Sequence, residues 1–411
     1  MTDRKKNIAI MFGGRSVEHE ISVISGLQVI KAMDTLKYNP IPVYIAPSGK
    51  WYSGSQLLDR SFYKTIPASL TQLQEVTCLP DPSVRGLTVV NTAQTSGIGW
   101  FGQKKPMVIP VDVYFPAFHG SFGEDGCLQG LLEMADAAYA GCGVTSSAIC
   151  MSKHHSKTVV AAAGVPMLPS ITVSKHGEGG SHTAPDLGLL RNKILAAPGL
   201  EKFPLFVKPA TLGSSIGVSR ASDASELDAS LLKAFQYDSV AIVEPCLTNK
   251  LEINVSILEN LAGGGPIASV VEIPIPAAGG ELTYEDKYLR GGGKKTGQEP
   301  EGMAGLVRVI DPQDLDTEIK NQVQKYGVQA FKALGCTGLV RIDFMQDLDS
   351  GVIYFNEINP LPGSFAFYLW EKNHPPLLFT DLVSIMIESA EKRHQIKRSL
   401  TTQVGFKALS K

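Results

Sequence analysis

The feature that most narrows the fold lies at the start of the chain. An apolar run, Ile8 to Phe12, goes straight into Gly13-Gly14-Arg15-Ser16. The stretch Glu20 to Met33 then carries Ile21, Ile24, Leu27, Ile30 and Met33 at near-helical spacing. Strand, glycine turn and amphipathic helix open a βαβ unit, and a second strand, Asn39 to Ile45, follows at once. Strand and helix in alternation predict an α/β protein with a parallel sheet.

The same logic runs along the chain. Val111 to Pro116 reads as a buried strand ending in Ala117-Phe118-His119-Gly120, the kind of turn where open α/β sheets hold ligands. Ser152 to Ala163 reads as a helix ended by Gly164-Val165-Pro166. Leu205-Phe206-Val207 and Ile216-Gly217-Val218 read as two strands joined by a glycine loop. Further strands are expected at Val240–Glu244, Ile253–Leu258, Ile267–Ile275, Gly338–Met345 and Val352–Ile358, with a long helix from Asp314 to Leu334 and a helical tail. Residues 53–107 are rich in Ser, Thr, Gln and Gly with weak periodicity, and read as an irregular insertion. Residues 176–186 read as a surface loop, and the Gly/Lys-rich stretch 290–305 as a mobile one.

Composition excludes several classes. With 38 basic and 40 acidic residues in 411, the net charge of −2 argues against a nucleic-acid partner, which demands a basic face. No apolar run approaches the roughly 20 residues of a membrane span or the roughly 7–15 of a secretory leader, so a cytoplasmic protein is expected. The six cysteines form no zinc-type pairs and read as reduced thiols.

Four segments carry chemistry. Arg341-Ile342-Asp343 lies on one expected strand and Asn356-Glu357-Ile358-Asn359 on the next. Strand alternation puts Glu357 and Asn359 on one face, where Asp343 and Arg341 can meet them. Three hard oxygen donors suit Mg²⁺ completed by substrate phosphates, and an arginine beside them suits a phosphoryl oxygen. A solvated sheet face carries such residues singly; four on two apolar strands point to a site. In Phe206-Val207-Lys208-Pro209 and the loop Thr211 to Gly217, a lysine at a strand end precedes a Gly/Ser loop whose N–H groups can cover phosphates, although an ordinary hairpin reads the same. In Gly13 to Glu20, Glu18 could hold an ammonium group behind the glycine turn; plain capping by Ser16 is the simpler account. His119, in a turn at a strand end, is by itself more often structural than catalytic. GxxxxGK[ST] is missing and the Gly13-Gly14 turn does not continue as GxGxxG, which leaves a dinucleotide-binding oxidoreductase built on that turn with little support.

Taken in order, GGRSVEHEIS, FPAFHGSFGEDGCLQGLLE, YAGCGV, FVKPATLGSSIGVS, LEINVSIL, DKYL, RIDF and NEINPLPG resemble the D-alanine–D-alanine ligase family over nearly the whole chain. The resemblance implies an α/β ATP-grasp fold with α+β lobes: a Rossmann-like N-terminal domain over 1–150, a central lobe over 151–245 and a C-terminal lobe over 246–411. It implies ATP-dependent joining of two D-alanines through an acyl phosphate, for peptidoglycan precursor synthesis. The alternative is a ligase of the same family acting on other small amino or hydroxy acids. Lys153, Lys208, Ser215 and Lys287 would bind the nucleotide's phosphates, Glu244 and Leu247 its adenine, and Glu252 its ribose. Asp343, Glu357 and Asn359 would hold two Mg²⁺ (or Mn²⁺) ions. Arg341 and the Gly363 N–H would stabilise the oxyanion. Glu18 would anchor the first D-alanine, in a hydrogen-bonded set with Ser214 and Tyr288 and with His119 nearby. The resemblance also implies a homodimer. The sequence departs from the family pattern in several places: Met151-Ser152-Lys153 replaces Met-Asp-Lys, Pro360 stands where Thr is common, segments 53–107 and 290–305 are longer than usual, and Tyr368 stands eleven residues after Glu357, where many members carry a serine for the second substrate. Ser364 is a candidate replacement hydroxyl.

Overall fold

The structure, a computed structural model, describes residues 4–90, 107–176, 184–213, 215–275 and 307–401. The loop expected at 290–305, most of that at 176–186, and Ser214, Lys287 and Tyr288 lie outside the described residues.

The N-terminal sheet contains β1 (Lys6–Gly13), β2 (Tyr38–Ile45), β3 (Trp51–Ser53), β4 (Gln74–Thr77), β5 (Gly86–Val89), β6 (Val108–Pro110) and β7 (Val113–Pro116), in the order β6-β5-β4-β3-β2-β1-β7. β1 pairs in parallel with β2 and β7. Its residues Ile8 to Phe12 are wholly buried, which is why this strand reads as an unbroken apolar run and not as an alternating one. From β2 to β6 the pairing is antiparallel, so the sheet is mixed. The expected irregular insertion therefore includes β4 and β5, which extend the sheet, separated from β3 by three short 3₁₀ helices. These strands are only four residues long, too short to show a period-two pattern.

Helix α1 (His19–Ala32) follows the glycine turn. Gly13 has φ +93°, and a Cβ there would lie 2.4 Å from the Ile45 carbonyl oxygen, so the turn needs glycine. Buried Ser22 accepts from the Gly13 N–H at 2.8 Å and donates to the Ala117 carbonyl at 2.8 Å. One hydroxyl thus ties the start of α1 to the ends of β1 and β7, the two loops that carry Glu18 and His119.

Next come α2 (Cys127–Met134), α3 (Val144–Met151) and α4 (Lys153–Ala162), whose N-cap Ser152 accepts from the His155 N–H. A four-stranded antiparallel sheet follows: β8 (Ile171–Ser174), β9 (Leu205–Pro209), β10 (Ser219–Ala221) and β11 (Val240–Pro245), ordered β10-β9-β11-β8 and packed by α5 (Leu187–Leu195) and α6 (Ala224–Ala234). The glycine loop after Lys208 does join two paired strands, but the second begins at Ser219. The last sheet has β12 (Lys250–Leu258), β13 (Ile267–Pro274), β14 (Arg308–Ile310), β15 (Leu339–Asp347) and β16 (Ile353–Asn359), ordered β14-β13-β12-β15-β16 and backed by α7 (Thr317–Ala333). Cys142, Cys150, Val160 and Val165 share its core, and the Phe355 N–H donates to the Pro166 carbonyl, so α3 and α4 ride on this sheet.

After the short helix α8 (Phe367–Trp370), α9 (Phe379–Arg398) returns to the N-terminal sheet and buries Leu382, Val383, Met386 and Ile387 in its core. The six cysteines are free thiols, four of them buried. Among the described residues no helix is long and apolar enough to cross a membrane.

Candidate active site

The register of β15 and β16 sets the centre of the site. Arg341 lies opposite Asn359 and Asp343 opposite Glu357, immediately before a register shift at Phe344. The alternate residues Ile342 and Ile358 go into the core, leaving the four polar side chains on the other face. The Arg341 guanidinium makes a two-pronged pair with Asp343, Nε to Oδ1 at 2.7 Å and Nη2 to Oδ2 at 2.8 Å. Burial opposes the charge on Arg341, but the adjoining Asp343 carboxylate outweighs it and raises the pKa well above the ordinary value. The Asn359 amide donates to Asp343 Oδ2 at 3.3 Å.

This donor set, two carboxylates and an amide oxygen, fits a hard cation. Among the described residues no group of three or more His, Cys, Asp or Glu side chains could hold a metal ion unaided. An ion on this face would need further oxygens from a bound phosphate, as Mg²⁺ sites commonly do.

Cations stand beside the acids. Lys153, the first residue of α4, donates to the Leu212 carbonyl at 2.6 Å and lies 3.4 Å from Glu357 Oε2. Lys208, on β9, lies 2.8 Å from Glu244 Oε2 and donates to Asn356 Oδ1 at 3.1 Å. Glu244 is fully buried. Burial alone would raise its pKa, but Lys157, 2.5 Å from Oε1, and Lys208 together hold it down to about 2. Lys157 was not singled out from sequence; its one signal is its place one helical turn after Lys153. Leu247 is half-buried in the turn after β11. Glu252, on β12, is 3.4 Å from Lys250 Nζ, and Ser215 occupies a left-handed turn with φ 58°. Glu244, Leu247, Glu252 and Ser215 are not among the residues lining the cleft described next.

That cleft, about 630 Å³ including its open mouth, brings Glu18, His119, Lys153, Arg341, Glu357 and Gly363 together. Glu18 is the N-cap residue of α1 and its side chain makes no capping bond; Ser16 is not the N-cap, although its hydroxyl accepts from the Glu18 N–H at 3.1 Å. The carboxylate of Glu18 is thereby aimed at the cleft and not at the helix end. Gly120 allows this packing, for a Cβ there would lie 2.3 Å from Ser16 Oγ and 2.8 Å from Glu18 Oε2. Glu124, another residue missed from sequence, accepts from the Gly120 and Leu361 N–H groups. Its burial, reinforced by the nearby Glu18 charge, raises its pKa well above the carboxylate range.

His119 is wholly engaged. Nδ1 faces the Leu361 carbonyl at 3.0 Å, so Nδ1 carries the proton, and Nε2 accepts from the Ser25 hydroxyl at 2.8 Å. Burial pushes its pKa down to about 4, so the ring is neutral. Ser25 Oγ in turn accepts from the Ser364 N–H at 3.3 Å. This chain clamps α1 to the loop after β16. That loop is strained: Ser364, Phe365 and Ala366 all have φ between 45° and 53°, and the buried Ser364 hydroxyl has no hydrogen-bond partner among the described residues.

Tyr368 is buried next to this loop. Its ring lies 3.9 Å below the Arg308 guanidinium, and its hydroxyl is 3.5 Å from Glu272, which also pairs with Arg308 at 2.7 Å. Glu272, Asn254, Asp343 and Glu357 stand in register across four strands, so the polar row continues from the cleft toward Tyr368.

Two family models match, one described as D-ala D-ala ligase N-terminus over residues 7–142 and one as D-ala D-ala ligase C-terminus over 159–388. Among curated relatives, the D-alanine–D-alanine ligase of Heliobacterium modesticaldum is 33% identical over 403 residues, covering 97% of this chain and 98% of that protein. The ligase of Chlorobium phaeovibrioides is 34% identical, covering 88% and 89%. Among solved structures, the D-alanine-D-alanine ligase of Coxiella burnetii superposes with a TM-score of 0.74 at 27% identity, covering 97% of both chains.

Proposed function

The chain belongs to the D-alanine–D-alanine ligase family, and from that premise we propose that it joins two D-alanines at the expense of ATP, in an ATP-grasp fold. The observation that carries this reading is the register of β15 and β16, which sets Arg341 and Asp343 against Asn359 and Glu357 at a cleft that also holds Lys153, Glu18 and Gly363.

The roles follow from charge and position. Glu18 holds the ammonium of the first D-alanine and turns its carboxylate toward Arg341. Lys153 and Lys208 neutralise phosphate oxygens as the γ-phosphoryl group passes to that carboxylate, giving an acyl phosphate. The amine of the second D-alanine attacks the acyl carbon. Arg341 and the Gly363 N–H stabilise the oxyanion, and phosphate leaves. Asp343, Glu357 and Asn359 would hold Mg²⁺, which supplies charge neutralisation to the phosphates when bound. Ser214, Lys287 and Tyr288 complete the first-substrate set and the phosphate cover by family resemblance. Three lobes, 1–150, 151–245 and 246–411, a homodimer and a cytoplasmic location belong to the same reading, and peptidoglycan precursor synthesis is the use for the product.

The test is phosphate release with ATP and Mg²⁺ across a panel of D- and L-amino acids. Release with D-alanine, and not with L-alanine, is expected. Release with another acid and none with D-alanine would move the chain to a different ligase of the family.

A further inference from the structure

We propose that Lys157 is a positioning residue for the nucleotide: by pairing with Glu244 it answers a carboxylate that would otherwise cancel Lys208, and so leaves Lys208 its charge for a polyphosphate. The inference rests on the reading of the cleft as an ATP site.

The two oxygens of Glu244 are divided between two lysines, Oε1 to Lys157 at 2.5 Å and Oε2 to Lys208 at 2.8 Å. With Lys157 protonated, two cations on one anion leave the triad a net single positive charge; burial lowers the pKa of Lys157, and the Glu244 carboxylate against it opposes that. The Glu244 side chain is 1% exposed and that of Lys157 5%, against 10% for Lys208. Lys157 is thus the inner cation and Lys208 the outer one, which also reaches Asn356, next to Glu357. α4 supplies both kinds of lysine from one face: Lys153 goes to Glu357 and Leu212, and Lys157, four residues on, goes to Glu244. A lysine this deeply buried is costly unless paired, so its place is explained by what it does for Glu244. With Lys157 gone, Glu244 and Lys208 form a neutral pair, and an incoming phosphate must compete with a carboxylate already in contact with Lys208.

The experiment compares wild type, Lys157→Met, Glu244→Gln and the double variant Lys157→Met/Glu244→Gln, by calorimetric ADP binding and by the KM and kcat for ATP. Lys157→Met is expected to weaken ADP and raise the ATP KM about tenfold, with the loss falling on KM more than on kcat. The double variant is expected to bind ADP about as well as Glu244→Gln does, because Lys208 no longer faces a carboxylate that Lys157 must answer. Unchanged ADP affinity in Lys157→Met overturns the proposal, and so does an equal loss from Lys157→Met in the wild-type and Glu244→Gln backgrounds, which would mean direct contact with the nucleotide. If Lys157→Met does not fold, Lys157→Gln decides by the same measure: about a tenfold loss of ADP affinity supports the proposal, and unchanged affinity overturns it. A wild type that binds ADP but releases no phosphate with D-alanine refutes the ligase reading while the comparison of variants stands. A wild type that binds neither ADP nor ATP sinks both.

Discussion

Glu357 faces Asp343 directly across β15 and β16 and lies 3.4 Å from Lys153, with its side chain 21% exposed. Glu357→Gln keeps the volume and removes one anionic oxygen from the face that would hold Mg²⁺. Turnover should fall by roughly a thousandfold or more, with the thermal unfolding midpoint little changed, because the side chain lines the cleft and is not core. Full activity at saturating Mg²⁺ would take Glu357 out of the metal set. His119 makes a different prediction. Its pKa, pushed down by burial to about 4, lies below the ordinary value of 6.5. The unfolded chain therefore binds a proton in that window that the folded chain does not. The stability His119 contributes is complete above about pH 6.5 and is lost as the pH falls toward 4, by about 3 kcal/mol over the whole window. Urea unfolding at pH 7.5 and 4.5 should show a smaller pH loss for His119→Gln than for wild type; equal losses would refute the neutral clamp. The residues best marked in sequence were those whose spacing fixes their face, Arg341, Asp343, Glu357 and Asn359. Glu124 and Lys157 escaped because partners far along the chain, Leu361 and Glu244, give them their roles.

Among the elements, α9 binds the two ends of the chain together. Leu382, Val383 and Ile387 are wholly buried against the N-terminal sheet. Each such side chain contributes about 1.5–3 kcal/mol by leaving water. Leu382→Ala should cost about 2–5 kcal/mol, read by urea unfolding, while the KM for ATP stays near wild type below the melting range. A loss under about 1 kcal/mol would mean that α9 is not a structural part of that core. Long elements with a strong pattern, such as α1, α7, β12 and β15, were legible to within a few residues. The short strands β4 and β5 were not, because four residues cannot display a period and their apolar residues, such as Val76 and Leu87, are buried only once β3 and β6 flank them.

At the scale of the molecule, residues from all three sheets and their loops line one cleft, and in the proposed reaction the second amino acid would meet Arg341 and Gly363 there. The buried Tyr368 is already engaged by Arg308 and Glu272, so the usual serine hydroxyl is replaced by an aromatic ring in a paired network. Segment 280–305 contains no histidine that could add a cation to recruit a hydroxy acid when the competing amine is protonated. With D-alanine, D-lactate, ATP and Mg²⁺ together at pH 7, D-alanyl-D-alanine should be the main product. Predominant D-alanyl-D-lactate on product separation would overturn this.

By itself the sequence determined the α/β class, the opening strand–glycine–helix unit, the family and the polar face of β15 and β16, because each depends on local periodicity or on an ordered set of short motifs. Only the tertiary structure decided the rest. It set Glu18 and Glu124 against each other, turned His119 into a neutral clamp between Ser25 and Leu361, and divided Glu244 between two lysines. Burial and charge at these positions come from groups tens to hundreds of residues apart, and no spacing along the chain encodes how close folding brings them.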